Sequence, residues 1–529
     1  MTAGAGYRQA GLHQRLQQHP QRSDAGIHCH TTTRNLQLLS PGLGQPLTSK
    51  ICNCVILSEE GAQQGDPLGP LLFCLAIHPI LTSLSNDLVA GYLDDITLGG
   101  DEQKIAQDVN EIRSRGESMG LRLNVRKCEF INKDAKPTNS VFDDFILLDT
   151  NSATLLGAPL TTGKAMDDAL SGRCNDLALT IDRLKLLSAH DALIFLRASF
   201  SAPKILHTLR SSPCAGHPIL GQFDNLLRNG LCTITNSDLS DMQWIQASLP
   251  VADGGLGIRR VASLAPSAFL ASAASTHDLQ EHILARCGIR PDEAVSTVRT
   301  LWTTTSNLPC PTVPSASKQA TWDKPFIVRD KSAIQDSAPD SHHRARLLAV
   351  AAPHAGDWLH ALPISSCGLR LDDEAIRVAV GLRLGLNICQ PHLCPCGTQV
   401  DARGTHGLSC KLSSGRMARH HHLNDLIWRA LSRAGIPSSK EPSGLSRTDG
   451  KRPDGMTLIP WQAGRNLLWD VTVVDTLAAS HLPSTSRQTG GAAESAGEKK
   501  DVKYRELPKT YTFTPIACET LGPINAKAL

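Results

Sequence analysis

Hydrophobic positions along the chain change their spacing several times, and each change predicts a different element. After Gln64-Gly65-Asp66-Pro67 an apolar run predicts a helix to about Leu84. Residues 88–93 and 96–98 then read as two short strands around Asp94-Asp95. Ile105, Val109 and Ile112 share one face of a helix that starts at Asp101 and ends near Gly120, and Leu121, Leu123 and Val125 alternate as a strand. The order helix, hairpin, helix, strand over 51–165 implies an α+β layer with one sheet face covered.

Beyond this the periodicity is that of helices. Residues 166–300 carry helical patterns at 176–189 and 190–209, and Asp253-Gly254-Gly255-Leu256-Gly257 interrupts them as a turn. Residues 301–380 read as a linker with connecting helices, the Thr-, Ser- and Pro-rich stretch 303–317 being the linker proper. Residues 381–425 gather Cys and His, and 426–529 turn strand-like around 456–474. Residues 1–50 show no sustained period and are set aside as disordered or outside the fold. No solenoid-length repeat is present, so the expected class is α+β multidomain.

Composition narrows the classes. At 529 residues, 41% hydrophobic and 19% charged, the chain is neither fibrous nor wholly disordered. Sixteen irregularly spaced cysteines read as reduced thiols of an intracellular protein with one metal cluster among them. Residues 1–22 lack the apolar core of a secretory signal, and the longest apolar run is broken by Pro70, His78 and Pro79, so no membrane span is expected. The formal charge of +3 hides a division: residues 51–150 hold 8 basic and 16 acidic side chains, residues 381–529 hold 19 and 12. An acidic unit followed by a basic one suits a carboxylate metal site upstream and a polyanion-binding unit downstream.

Tyr92-Leu93-Asp94-Asp95 lies between two apolar runs, so both carboxylates fall at a tight turn. Adjacent carboxylates repel unless a cation such as Mg²⁺ sits between them, although Asp is also a common turn residue. Gly61-Ala62-Gln63-Gln64-Gly65-Asp66-Pro67 before the hairpin, and Leu123-Asn124-Val125-Arg126-Lys127 and Leu155-Leu156-Gly157-Ala158-Pro159 after it, complete a succession. It resembles the palm of reverse transcriptases, in particular those of non-LTR retrotransposons. The resemblance implies that Asp94 and Asp95 bind catalytic Mg²⁺ or Mn²⁺. It also implies that Gln64 and Gly65 approach the template–nucleotide pair, that Lys127 lies near the incoming triphosphate, and that Leu156 and Gly157 belong to the primer grip. Residues 51–165 would then be a partial palm and 166–300 a thumb-like region. Family members carry a third Asp on an earlier strand, whereas the acids before Gly61 are Asp24, Glu59 and Glu60. Impaired polymerase activity is therefore expected. The N-terminal stretch reads as a truncation or a frame change in a decayed element.

Cys394, Cys396, His406 and Cys410 form C-x-C-x9-H-x3-C, three thiolates and one imidazole suited to tetrahedral Zn²⁺. Cys389, His420, His421 or His422 could replace one ligand. Further on, Lys451-Arg452-Pro453-Asp454 opens one strand-like run and residues 467–474 form another, with Pro460-Trp461-Gln462-Ala463-Gly464 as a turn between them. A turn centred on Gln462 sets Asp454 directly opposite Asp470, at a spacing suited to sharing one divalent cation. Lys499 and Lys503 follow at helical spacing, beside Tyr504.

This order resembles a zinc knuckle followed by the restriction-like PD-(D/E)xK endonuclease of site-specific non-LTR retrotransposons. The resemblance implies that Asp454 and Asp470 hold Mg²⁺ or Mn²⁺, with Lys503, or secondarily Lys499, as the catalytic lysine and Glu441 as an accessory acid on the preceding helix. The family's reaction is target-primed reverse transcription, its partners are element RNA, double-stranded target DNA and deoxynucleotide triphosphates, and its place is the nucleus. The rival expectation is a nucleic-acid-binding remnant of a decayed or domesticated element, without catalysis.

Overall fold

The computed structural model describes residues 67–132, 136–287, 292–312, 315–443, 445, 452–507 and 510–529, and the backbone of 25–33, 47–51 and 54–58. Gln64 and Gly65 lie outside the described residues. The chain divides into two compact units. One takes the residues up to Arg173 with Ile205–Leu220 and Ala262–Asp323, the other Cys174–Lys204, Gly221–Val261 and Lys324–Leu529.

The first unit begins with strand β1 (Ala25–Thr33). A separate hairpin follows, β2 (Leu47–Ile51) with β3 (Cys54–Ser58). Helix α1 (Gly69–Ser83), strands β4 (Leu88–Tyr92) and β5 (Asp95–Gly100), helix α2 (Glu102–Ser118), strands β6 (Leu121–Leu123), β7 (Glu129–Ile131) and β8 (Ile146–Leu148), and the short pair β9 (Thr154–Leu155) and β10 (Ala158–Pro159) come next. Sheet order is β4-β5-β1-β7-β8, with β6 also paired to β1. Setting aside all of residues 1–50 was therefore wrong for Ala25–Thr33, which is a central strand between β5 and β7. Ile27 is its one large aliphatic residue, so no apolar alternation marked it. Val125, expected to continue a strand, instead opens a 3₁₀ turn, Val125–Lys127.

The sheet is covered by Ile80 of α1, Leu84 just after it, and Ile105, Val109 and Ile112 of α2, packed with Ile96, Leu98, Phe130 and Phe142. Asp101 caps α2, accepting from the backbone N–H groups of Gln103 and Lys104. Buried Asp108 on the same helix accepts from Ser85 N at 3.0 Å, Asn86 N at 3.0 Å and Asn86 Nδ2 at 2.5 Å. That carboxylate fixes the entry to β4 and hence the hairpin beyond. Elsewhere in this unit, Thr303–Ser306 of the expected linker close the helix Glu293–Ser306. Trp302 is buried there edge-on to Trp322, and a Thr-rich surface concealed the helix from the sequence.

The second unit carries the C-terminal sheet, β13 (Ser438–Lys440), β14 (Gly455–Thr457), β15 (Asn466–Val474) and β16 (Tyr511–Glu519), in that order. Before it stand the short hairpin β11 (His392–Leu393) and β12 (Gln399–Val400) and helix α3 (Gly415–Arg433). Strand β15 pairs in parallel with β16 along its whole length. Helix α4 (Gly491–Lys503) makes the crossover a parallel pair requires. Ala493 and Ala496 of α4 pack on Ala517 and Val474. Buried Glu519 accepts from Ala492 N at 2.9 Å and Ala493 N at 3.2 Å, anchoring the N-terminus of α4.

Candidate functional site

Tyr92 pairs with Asp95, so Leu93 and Asp94 are the two loop residues of the β4–β5 hairpin. Leu93 holds φ 55°, a conformation such a loop usually gives to glycine, and strain of this kind gathers at working sites. Asp94 is exposed and Asp95 half-buried. Opposite Asp95 on β1 stands His30, and β1 contains no acid anywhere along its length. Among the described residues no third ligand joins the hairpin carboxylates in a cluster. Lys127 is exposed on its 3₁₀ turn. Leu156 and Gly157, both at positive φ, form the two-residue loop between Thr154–Leu155 and Ala158–Pro159.

Residues 27–160 match the family model for reverse transcriptase (RNA-dependent DNA polymerase). The match opens inside β1 and closes just after the Leu156-Gly157 turn, so it covers the described hairpin and its sheet. No curated protein matches the chain. Reverse transcriptases bind an RNA template and deoxynucleotide triphosphates and use Mg²⁺. Of the matched segment, Asp94 and Asp95 are the two described carboxylates at the hairpin, and among the described residues no third carboxylate joins them in a cluster. Among the described residues no helix is long and apolar enough to cross a membrane.

The Cys/His cluster is assembled by two tight turns. Cys394 N donates to Thr398 O at 2.9 Å, with Gly397 at φ 84° inside the turn, and Cys410 N donates to His406 O at 3.0 Å. Cys394 Sγ and Cys410 Sγ stand 3.6 Å apart, Cys396 Sγ and His406 Nε2 3.2 Å apart. All four ligand atoms lie within 4.8 Å of one another, which suits tetrahedral zinc. Hydrogen bonds from Thr398 lower the Cys396 thiol to about 6, a shift towards the thiolate that a metal ligand requires. Cys389 contacts Asp401 O at 3.3 Å and is not in the cluster.

The C-terminal carboxylates face each other. Gly455 pairs with Trp469 and Met456 with Leu468, the register that sets Asp454 opposite Asp470. The turn itself lies at Ala463-Gly464, both at positive φ, rather than at Gln462. Extra residues on the incoming side, Leu458 to Trp461, absorb the difference. Asp454 Oδ2 accepts from Val471 N at 2.6 Å and contacts His420 Nε2 at 3.1 Å. Burial pushes the Asp454 carboxyl up, but His420, Asp470 and the Val471 amide together outweigh it and hold it below the usual range. The same contact with Asp454 raises His420 against the opposing effect of burial.

Asp470 has a side chain only 3% exposed and is met by two ammonium groups, Lys500 at 2.6 Å and Lys503 at 3.2 Å. Lys503 also donates to the Tyr504 hydroxyl at 2.7 Å, and that hydroxyl donates to Arg452 O at 2.9 Å. Lys499 is exposed on another face of α4. The signal for Lys500 was available, because buried Ala493 and Ala496 extend at helical spacing to Lys500 and Lys503. Glu441 pairs with Arg452 and sits just after β13 at φ 48°, not on a helix. In the sequence His420 stands only as a substitute zinc ligand, and nothing local marks it for Asp454, which is brought to it by the fold.

Proposed function

We propose that this chain derives from a restriction-endonuclease-type non-LTR retrotransposon and that its C-terminal region, about 380–529, is a DNA-nicking endonuclease. The observation that carries this is the pair Asp454 and Asp470, opposed across two strands and flanked by Lys500, Lys503 and His420. Two carboxylates at that spacing repel unless cations stand among them, and the donor set fits a divalent ion. A bound Mg²⁺ or Mn²⁺ would supply charge neutralisation and a more acidic water for phosphodiester hydrolysis. The Val471 amide orients Asp454, the two lysines hold Asp470 and present positive charge to a scissile phosphate, and Tyr504 keeps Lys503 aligned. The Cys/His cluster would hold a structural zinc beside this unit. DNA and element RNA would be bound largely through phosphate contacts, in the nucleus.

Plasmid nicking by the full chain with Mg²⁺ or Mn²⁺ tests the proposal. Asp454→Ala and Asp470→Ala should abolish nicking while DNA binding at fixed salt is kept. Variants that nick as fast as the parent would reduce the two acids to surface residues. A second proposal, a nucleic-acid-binding remnant, is favoured by the acid-free strand β1, and a parent that binds DNA but never nicks it would establish that instead.

A further inference from the structure

We propose that His420 is the third ligand of the cation held by Asp454 and Asp470, and that its imidazole biases the site towards Mn²⁺ over Mg²⁺. This rests on the preceding proposal only in assuming that the two acids hold a divalent ion.

The placement of His420 is built. Asn424, one turn further along α3, accepts from Trp469 Nε1 at 2.8 Å and donates to Asp454 O at 3.4 Å. That face of α3 is thereby tied to both strands of the acid pair, and it carries His420 with it. His421 and His422, on other faces, are exposed. Nitrogen and oxygen ligands about 2.1 Å from a common ion, at right angles, lie roughly 3.0 Å apart. His420 Nε2 and Asp454 Oδ2 stand 3.1 Å apart. Ligand atoms of His420, Asp454 and Asp470 all lie within 4.8 Å of one another.

Charge then decides what the third ligand is worth. Lys500 and Lys503 each neutralise part of Asp470, so the acids offer an incoming ion much less than two full negative charges. Mg²⁺ relies on charge, takes oxygen ligands and surrenders water reluctantly. An imidazole nitrogen adds a ligand without adding charge, and it suits first-row transition ions better than Mg²⁺. Removal of His420 should therefore cost Mn²⁺ more than Mg²⁺.

The experiment titrates the full chain, zinc-loaded, with Mn²⁺ followed by the electron paramagnetic resonance of the free ion, and with Mg²⁺ by competition. The parent should show a Mn²⁺ site that the Asp454→Asn, Asp470→Asn double variant lacks. His420→Ala should weaken that site by about tenfold or more, a scale that supporting residues of metal sites already reach. Mg²⁺ should weaken less. His420→Gln keeps a hydrogen-bonding group near Asp454 without an imidazole and should match His420→Ala. An unchanged Mn²⁺ to Mg²⁺ ratio in both variants, or no Mn²⁺ site dependent on the two acids, would overturn the inference. Nicking with an unchanged ratio would overturn it while leaving the nuclease intact. A His420-dependent Mn²⁺ site without nicking would uphold it and remove the nuclease.

Discussion

The carboxylate pairs Asp94–Asp95 and Asp454–Asp470 are made in opposite ways. Asp94 and Asp95 are adjacent in sequence and project from a hairpin tip, Asp94 into solvent. Asp454 and Asp470 meet only through the β14–β15 register, and Asp470 is almost wholly enclosed. The first pair is legible in four residues but lacks a third acid on its neighbouring strand. The second is nearly invisible as a motif yet is ringed by an imidazole, two ammonium groups and a backbone N–H. Sequence proximity makes an acid pair easy to find, whereas the surroundings that make it useful are supplied by tertiary structure.

The comparison breaks most sharply if the hairpin pair can polymerise. With two carboxylates and no third among the described residues, the full chain should give no primer extension on an RNA template with Mg²⁺ or Mn²⁺. Robust synthesis that Asp94→Ala abolishes would show that a donor from elsewhere completes the site.

Stability should separate the pairs next. Asp470→Ala leaves Lys500 and Lys503, with side chains 22% and 25% exposed, without their shared acid. Losing one partner of such a buried arrangement costs on the order of 3 kcal/mol, whereas Asp94→Ala at an exposed tip should stay within about 0.5 kcal/mol. Thermal unfolding of both variants measures the difference. A loss below about 1 kcal/mol for Asp470→Ala would mean that the lysines simply swing into water.

A smaller contrast comes from the glycine beside each pair. An added Cβ at Gly455 would stand 1.9 Å from Cζ2 of the Trp469 ring, and at Gly91 2.5 Å from Cδ1 of Leu81. The enclosed indole cannot yield, while a leucine end can rotate. Gly455→Ala should therefore cost about 2 kcal/mol and Gly91→Ala under about 1 kcal/mol. Equal losses in urea unfolding would place both acid pairs on equally rigid supports.

The helix–hairpin–helix order of the first unit was legible because Ile105, Val109 and Ile112 keep strict helical spacing and Asp101 is a capping residue. Strand β1 was not, since His and Thr stand where alternation would call for aliphatic residues, and its pairing is entirely long-range. The opposed positions of Asp454 and Asp470 could be reached by counting, although the turn was misplaced. Lys500 was missed because Lys499, Lys500 and Lys503 look alike until one knows which face of α4 the alanines bury. His420 could not be assigned from its neighbours at all. Its histidine run pointed to the zinc cluster, and only the docking of α3 through Asn424 turns it to the acids.

The parallel pairing of β15 with β16 also sets an order of assembly during synthesis. Strand β15, with Leu467-Leu468-Trp469 and Val471 to Val474, leaves the ribosome well before Tyr511–Glu519. Until β16 follows, the nascent chain carries a raw apolar edge that can recruit another strand, its own or a neighbour's. Messages broken or prematurely stopped between the two segments would thus yield chains prone to clump or to be captured by chaperones. Chains that reach Glu519 cover that edge, because β16 pairs with β15 from Asn466 to Val474 and so spans the position of Asp470.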